Sequence, residues 1–246
     1  MNVEEDKGPV LVTGAARRIG LGLARGMARS GRPVVLHASA RSLSEAEAAA
    51  DAIRAAGGQA QALACDLADA DAAGALVAKA AALFGPLTLL VNNASLFETD
   101  EAQSFTLDTY ERHMSVNVRA PLQLSRDFAA SLPQGRCGAI VNVIDQRVFR
   151  LSPRDFTYTL SKAALWTVTQ TLAQAFAPRV RVNAVGPGPV LPNSHVGETG
   201  FALEVAGVPL GEPVALESVV EAVLYLASAR HVTGQMIAVD SGQHLV

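Results

Sequence analysis

Cysteine is nearly absent: Cys65 and Cys137 are the only two in 246 residues, and they lack C-x-x-C spacing. That excludes a disulfide framework or a zinc module and points to a reducing compartment. His195, His231 and His244 show no metal-ligand spacing either, so no metal is expected. Charge of one sign is also missing. The formal net charge is −3, only 17% of residues are charged, and no basic block occurs, so nucleic acid is not an expected partner. No apolar run approaches ~18 residues, so no membrane span is expected. The stretch Met1 to Gly8 is acidic and polar, which does not fit a secretory signal. Residues 1–8 are therefore expected to be a flexible start and the location cytoplasmic.

What the chain does have is apolar bulk: half of its residues are hydrophobic, though aromatics make up only 5%. That describes a globular body, and this length suits one domain over residues 9–246. Short apolar runs bounded by Gly, Pro, Asn or Asp read as strands covered on both faces. They are Pro9 to Thr13, Pro33 to His37, Gln59 to Cys65, Leu87 to Asn92, Ala139 to Ile144, Val180 to Val185 and Met236 to Val239. Helix-length segments alternate with them: Ile19 to Ser30, Ser42 to Ala56, Ala70 to Phe84, Tyr110 to Ser131, Tyr158 to Ala177 and Leu216 to Ala227. Such alternation argues an α/β fold, a doubly wound parallel sheet with helices on both faces. The Gly- and Pro-rich stretch Pro187 to Pro213 lacks a clear pattern and reads as a substrate lid.

After the first strand comes Thr13-Gly14-Ala15-Ala16-Arg17-Arg18-Ile19-Gly20. Gly14 permits a tight turn and Gly20 a close helix–strand approach, so the helix N-terminus opened by Ile19 can face a pyrophosphate. Arg18 occupies a position where glycine is expected. Its side chain must point away from the helix, toward a phosphate, a polar substrate group or solvent. At the end of the second strand a carboxylate would mark an NAD site. Here Leu36-His37-Ala38-Ser39-Ala40-Arg41-Ser42 carries none, and no acid appears until Glu45. Arg41 with Ser39 or Ser42 suits a ribose 2′-phosphate, with Arg17 as a second cation, so the cofactor reading is NADP(H). Asp66, beside Leu67, is placed either to bond the adenine edge or to cap the next turn. Asn92-Asn93-Ala94 ends the fourth strand with small residues that leave room for the cofactor.

Tyr158-Thr159-Leu160-Ser161-Lys162 puts a phenol and an ammonium four residues apart, on one helical face. A free Tyr titrates near ~10. A nearby Lys⁺ favours the phenolate and is expected to pull that value down, toward a useful acid or base.

In this order the pieces make the chain resemble the short-chain dehydrogenase/reductase family, from Pro9 to the C-terminus. The Thr-Gly turn, Asn92-Asn93-Ala94, Asn117 in Asn-Val-Arg-Ala-Pro, the Tyr–Lys pair, Pro187-Gly188, Val232-Thr233-Gly234 and Asp240 all fall in family order. The resemblance implies a single Rossmann-type domain with about seven strands. It implies Tyr158 as proton donor, Lys162 as its pKa partner and ribose anchor, and Asn117 as holder of a relay water. His37, Ser95, Pro187 and Gly188 would join the cofactor site, and backbone near Val190 would hold the nicotinamide carboxamide. A homotetramer is implied too, with the helices from Tyr110 and Tyr158 at one two-fold and the C-terminus at another.

Two departures narrow the resemblance. Asn142-Val143-Ile144-Asp145 places an Asp where most members have Ser, and Arg18 replaces the glycine. Both occur together in the pteridine and dihydromonapterin reductases, which this chain resembles more closely. There Ser95 and Phe97 match residues that hold the pterin, and the terminal Asp-x-Gly-x-His-Leu is similar as well. A ketone needs donors for one developing oxyanion, whereas a pterin is reduced at C=N and needs a proton at a ring nitrogen. Asp145 beside Tyr158 can pass that proton or accept from the exocyclic amine, while Phe97 offers a stacking face. Otherwise Asp145 is a strand-end cap and Phe97 a core aromatic. The expected function is NADPH-dependent reduction of a dihydromonapterin, dihydrobiopterin or dihydrofolate-like substrate. The alternatives are a generic carbonyl or 3-oxoacyl reductase and a non-enzymatic dinucleotide-binding regulator.

Overall fold

The computed structural model describes residues 7–192 and 197–246. Most of the expected flexible start, and His195 within the expected lid, lie outside the described residues. Seven strands form one parallel sheet in the order β3-β2-β1-β4-β5-β6-β7. They are β1 (Val10–Val12), β2 (Val34–Ala38), β3 (Ala60–Ala64), β4 (Leu89–Asn92), β5 (Gly138–Val143), β6 (Val180–Pro187) and β7 (Met236–Val239). The helices are α1 (Arg18–Arg29), α2 (Leu43–Ala55), α3 (Ala70–Phe84), α4 (Leu107–Met114), α5 (Ala120–Ser131), α6 (Phe156–Ala175), α7 (Gly197–Ala206) and α8 (Leu216–Ser228).

Alternate residues of each strand feed two cores. Val10, Val12, Leu36 and Val91 pack with Leu23 of α1, Ile53 of α2 and Val219 of α8 on one face. Leu11, Leu90 and Ile140 pack with Leu76 of α3 and with Leu124 and Phe128 of α5 on the other. Each fully buried Leu or Ile contributes about 1.5–3 kcal/mol by leaving water. This two-sided burial is why the strands read as unbroken apolar runs rather than alternating ones. β1 is flanked by β2 and β4, so strand order reverses there and a crevice opens at the carboxyl ends.

The structure departs from the sequence expectations in two places. The helix expected from Tyr110 begins at Leu107, where the Thr106 hydroxyl caps it by accepting from the Thr109 N–H at 3.1 Å. It then carries a π-helical turn over Ser115–Arg119, which turns Asn117 inward, before continuing as α5. The expected patternless lid contains α7, none of whose residues is buried. With no core-facing stripe, a helix leaves no periodic trace in the sequence.

Candidate active site

The turn after β1 is held by hydrogen bonds to backbone. Gly14 has φ +63°, and a Cβ there would come within 2.9 Å of the Ala94 backbone. At Gly20 a Cβ would meet the Gly14 carbonyl at 2.0 Å, so α1 lies directly against the turn only because no side chain intervenes. Asn93 clasps this turn from β4: its Nδ2 donates to the carbonyls of Thr13 at 2.8 Å and Gly14 at 3.1 Å. The Thr13 hydroxyl in turn accepts from the Asn93 and Ala94 N–H groups. Arg17, the residue capping α1, makes no side-chain cap, so the first-turn N–H groups of that helix are left for an anion.

His37 requires a correction. It was expected against the cofactor, but its side chain is buried, with Nδ1 accepting from the Gly14 N–H at 3.2 Å and Nε2 donating to the Cys65 carbonyl at 3.1 Å. It braces the turn from behind. Burial lowers its pKa, and the Gly14 bond requires the neutral ring. Arg18 is corrected as well. It has a left-handed φ of 54°, which explains the glycine expectation, and its guanidinium donates to the Pro192 carbonyl and, at 3.1 Å, to the Leu191 carbonyl. It reaches the lid, with its side chain still exposed to solvent.

Beyond β2, the Ser39 and Ser42 hydroxyls lie 3.2 Å apart and Arg41 is exposed beside them. Arg17 lies 3.9 Å from Glu45 with both side chains largely exposed. Asp66 caps its own turn, accepting from the Ala68 N–H at 2.9 Å, with Leu67 buried next to it. Ile19 sits in the first turn of α1. Pro187 ends β6, the Gly188 N–H donates to the Val239 carbonyl at 3.0 Å, and Val190 is buried at the base of the lid.

The reacting end forms where β5 meets α6. Tyr158 is buried and its hydroxyl donates to Asp145 Oδ2 at 3.2 Å. The other carboxylate oxygen, Oδ1, accepts from the Arg147 N–H at 2.9 Å. Asp145 is thus both a strand-end cap and a partner of the phenol, one oxygen for each. Burial, then Asp145, push the Tyr158 hydroxyl well above the usual phenol range, while Arg147 and a hydrogen bond from Ser95 oppose them. Lys162 is a second cation at the ring. Its Nζ donates to the Val143 carbonyl at 3.1 Å and stands 5.6 Å from the Tyr158 ring, and burial pulls its pKa down to about 8. The net shift on Tyr158 is upward, against the expected lowering, because burial and Asp145 outweigh what opposes them.

The Asn117 side chain is fully used. Its Oδ1 accepts from the Leu96 N–H at 2.8 Å and from the Ser95 hydroxyl at 3.3 Å, and its Nδ2 donates to the Leu96 carbonyl and to the Ser161 hydroxyl, each at 2.9 Å. Its side chain ties the Ser95–Leu96 segment to α6. The Phe97 ring meets the Tyr158 ring edge-on at 4.7 Å between centroids.

Sequence reasoning passed over four partners of this centre, of which His113 and Thr157 are buried. The Glu98 N–H donates to His113 Nε2 at 3.1 Å, which leaves Nδ1–H to donate to the Thr157 hydroxyl at 2.8 Å. Thr157 in turn donates to the Asp100 carboxylate. This chain of bonds holds the loop carrying Phe97 against the start of α6. Arg147, with Nε 3.3 Å from Asp145 Oδ2 and NH1 3.0 Å from Asp155 Oδ2, was also missed. Burial opposes its charge, but the Asp145 carboxylate, Tyr158 and Asp155 outweigh burial and raise its pKa. No local pattern in the sequence marks it.

The chain belongs to the short-chain dehydrogenase family, whose pattern matches residues 9–199. An uncharacterised oxidoreductase of Methylorubrum extorquens is 37% identical over 240 residues, 94% of this chain and 96% of the relative. Among solved structures, the FolM alternative dihydrofolate reductase 1 of Brucella suis, in complex with NADP, is 44% identical with a TM-score of 0.95, over 99% of this chain and 97% of that one. Its counterpart from Brucella canis, also complexed with NADP, is 45% identical with a TM-score of 0.94, covering 97% and 94%. Among the described residues no cluster of His, Cys, Asp and Glu could hold a metal ion, and no helix is long and apolar enough to cross a membrane.

Proposed function

We propose that the protein is an NADPH-dependent reductase of a dihydropterin or dihydrofolate-like substrate. The observation that carries the reading is the Tyr158–Asp145 hydrogen bond of 3.2 Å, set beside Phe97 and occurring where most family members have Ser. Its support is the likeness to two FolM proteins that were solved with NADP.

The residues present fit the dinucleotide. The Gly14 turn has no side chain to obstruct it, the first turn of α1 has free N–H groups, and the end of β2 offers Ser39, Ser42 and Arg41 with no acid. When bound, NADPH supplies the hydride. Tyr158 supplies the proton: its hydroxyl is neutral because burial disfavours the phenolate, so it can donate to a ring nitrogen of C=N. Asp145 holds the hydroxyl in line and accepts from the amino edge of a pterin. Asn117, through Ser95 and Leu96, keeps the loop to Phe97 in register. Ser95 and Phe97 would contact the substrate, and Lys162 would anchor the ribose.

Exposed Leu122 and Leu160 on α5 and α6, with Leu245 and Val246 at the C-terminus, are consistent with a homotetramer. A monomeric mass by light scattering at micromolar protein would contradict that assembly. The substrate reading is tested by following NADPH oxidation with a dihydropterin and, separately, with an acetoacetyl thioester. Turnover of the first and neglect of the second is expected; brisk reduction of the thioester with no dihydropterin accepted would overturn it.

A further inference from the structure

The Tyr158 hydroxyl donates to a carboxylate, and this creates an electrostatic problem at the moment of proton transfer. As the O–H bond of Tyr158 breaks and the new N–H bond of the substrate forms, the electron pair left on oxygen becomes a phenolate. That charge arises 3.2 Å from Asp145 Oδ2. Two anions at such a distance repel strongly in a buried site, so a cation must face both.

Two cations are within reach. Lys162 has its Nζ engaged with the Val143 carbonyl at 3.1 Å. Arg147 is differently placed. Its guanidinium carbon lies 5.2 Å from the centroid of the Tyr158 ring and 6.0 Å from that of Phe97. Its Nε lies 3.3 Å from Asp145 Oδ2, the same oxygen that receives the phenol. That contact is electrostatic only, since the buried Nε makes no hydrogen bond. We propose that Arg147, together with Lys162 whose Nζ lies 5.6 Å from the same ring, offsets the charge developing on the Tyr158 oxygen, and so acts as a positioning residue of the proton-transfer site. The proposal rests on the reading of Tyr158 as the proton donor.

The difference between the two cations follows from their chemistry. A guanidinium keeps its proton at every working pH, whereas an ammonium surrenders its own when buried. Lys162, held down to about 8 by burial, would be half neutral in mildly alkaline solution. Arg147 also faces Asp155 at the start of α6 and Glu204 on α7, whose carboxyl burial raises and Arg147 lowers. The charged groups around the phenol are therefore Asp145, Asp155 and Glu204 against Arg147 and Lys162, with the His113 ring 6.0 Å from the Tyr158 ring and its pKa lowered by burial. Without Arg147 the balance would depend on Lys162 alone.

The test compares wild type, Arg147→Gln, Arg147→Lys and Asp155→Asn. Single-turnover NADPH oxidation is followed from about pH 6 to about pH 10, and NADPH binding is measured by fluorescence without substrate. Arg147→Gln should slow the reaction by about 30-fold or more, within the range of a lost transition-state charge partner. Its NADPH affinity should change by less than about 3-fold, because the lost contact belongs to the transition state. Its rate should also fall with rising pH, at a pH above about 8, because removing Arg147 relieves the repulsion that helps hold Lys162 down to that value. Wild type should hold its rate past that pH, whereas Arg147→Lys should recover most of the loss near neutral pH and lose it again in alkaline solution as the partly buried ammonium gives up its proton.

Asp155→Asn breaks the second ion pair but leaves the guanidinium beside Asp145, so it should lose less than about 5-fold, as for a largely structural pair. An Arg147→Gln variant with more than a third of wild-type rate and an unaltered pH profile would overturn the proposal. So would an Asp155→Asn loss equal to that of Arg147→Gln, which would make Arg147 a strut for the α6 turn. All four proteins are run with a dihydropterin and with an acetoacetyl thioester. A wild type active only on the thioester ends the pterin reading and leaves the Arg147 comparison to be read on that substrate, whose ketone oxygen takes the same proton.

Discussion

The two ends of the crevice are built on opposite plans. At the β1 turn, recognition is prepared by backbone and by neutral groups: Gly14, the N–H groups of α1, Asn93, and His37 behind the turn. At the junction of β5 and α6, charged side chains surround one buried phenol, with Asp145, Arg147, Asp155 and Lys162 all within the site. The difference has a physical basis. A pyrophosphate brings its own charge, so the protein need only offer oriented dipoles that cost nothing to keep dry. A proton donor creates charge during the reaction, so its counter-charges must be in place beforehand. The first region should therefore be sensitive to shape and the second to charge.

The strongest way to break that contrast lies at the phenol. Tyr158→Phe removes the transferable proton without changing ring volume, so turnover should fall by about 10²–10⁴-fold while NADPH binding stays nearly intact. If more than about a tenth of the turnover survives, another proton source dominates. Next comes Asp145→Ser, which keeps a turn cap but discards the carboxylate. Dihydropterin reduction should drop about 100-fold, and weak ketone reduction should appear or improve, because the family's usual carbonyl donor is restored. Steady-state assays on both substrate types decide it; equal losses on both would mean that Asp145 serves only as a cap.

At the nucleotide end, charge should matter less, and only at its rim. NADPH should be preferred over NADH by about 10-fold or more, worth about 1.4 kcal/mol, and Arg41→Ala should erase most of that preference. Comparable catalytic efficiencies with the two cofactors in wild type would refute the NADP assignment. The smallest effect is a pH dependence of stability. His37 has its pKa lowered by burial from a normal 6.5, so its contribution is fully present above that pH and is lost as pH falls toward the folded-state value. The melting temperature should therefore decline below about pH 6, and His37→Gln, which cannot charge, should flatten part of that decline. His113, lowered by burial in the same direction, would account for the part that remains.

The extent to which each region was legible in the sequence follows the same division. The β1 turn is a local device, complete within eight consecutive residues, and glycine at fixed positions announces it. Asn93 and Tyr158 likewise stand in short recognisable strings. Arg147 carries no such sign, because its value comes from Phe97 and Tyr158 lying across it, and chain distance hides that. The His113–Thr157–Asp100 chain joins residues 44 and 57 positions apart. His37 lies near the end of β2, where a cofactor contact is expected, yet the direction its ring faces is set by the Gly14 N–H and by the Cys65 carbonyl just beyond β3.

The linear order of apolar runs and helices determined that this chain folds as a doubly wound parallel sheet, because burying both faces of each strand leaves few other arrangements. It also determined where a dinucleotide's phosphates can approach, since the Gly14 turn is written in consecutive residues. That a second cation faces the phenol was decided by tertiary structure alone. The spacing of Tyr158 and Lys162 announces Lys162, whose Nζ lies over the ring and donates to the Val143 carbonyl, but only the fold brings Arg147 from the β5 turn across the same ring. Electrostatic energy depends on distance and dielectric, and neither is encoded in separation along the chain.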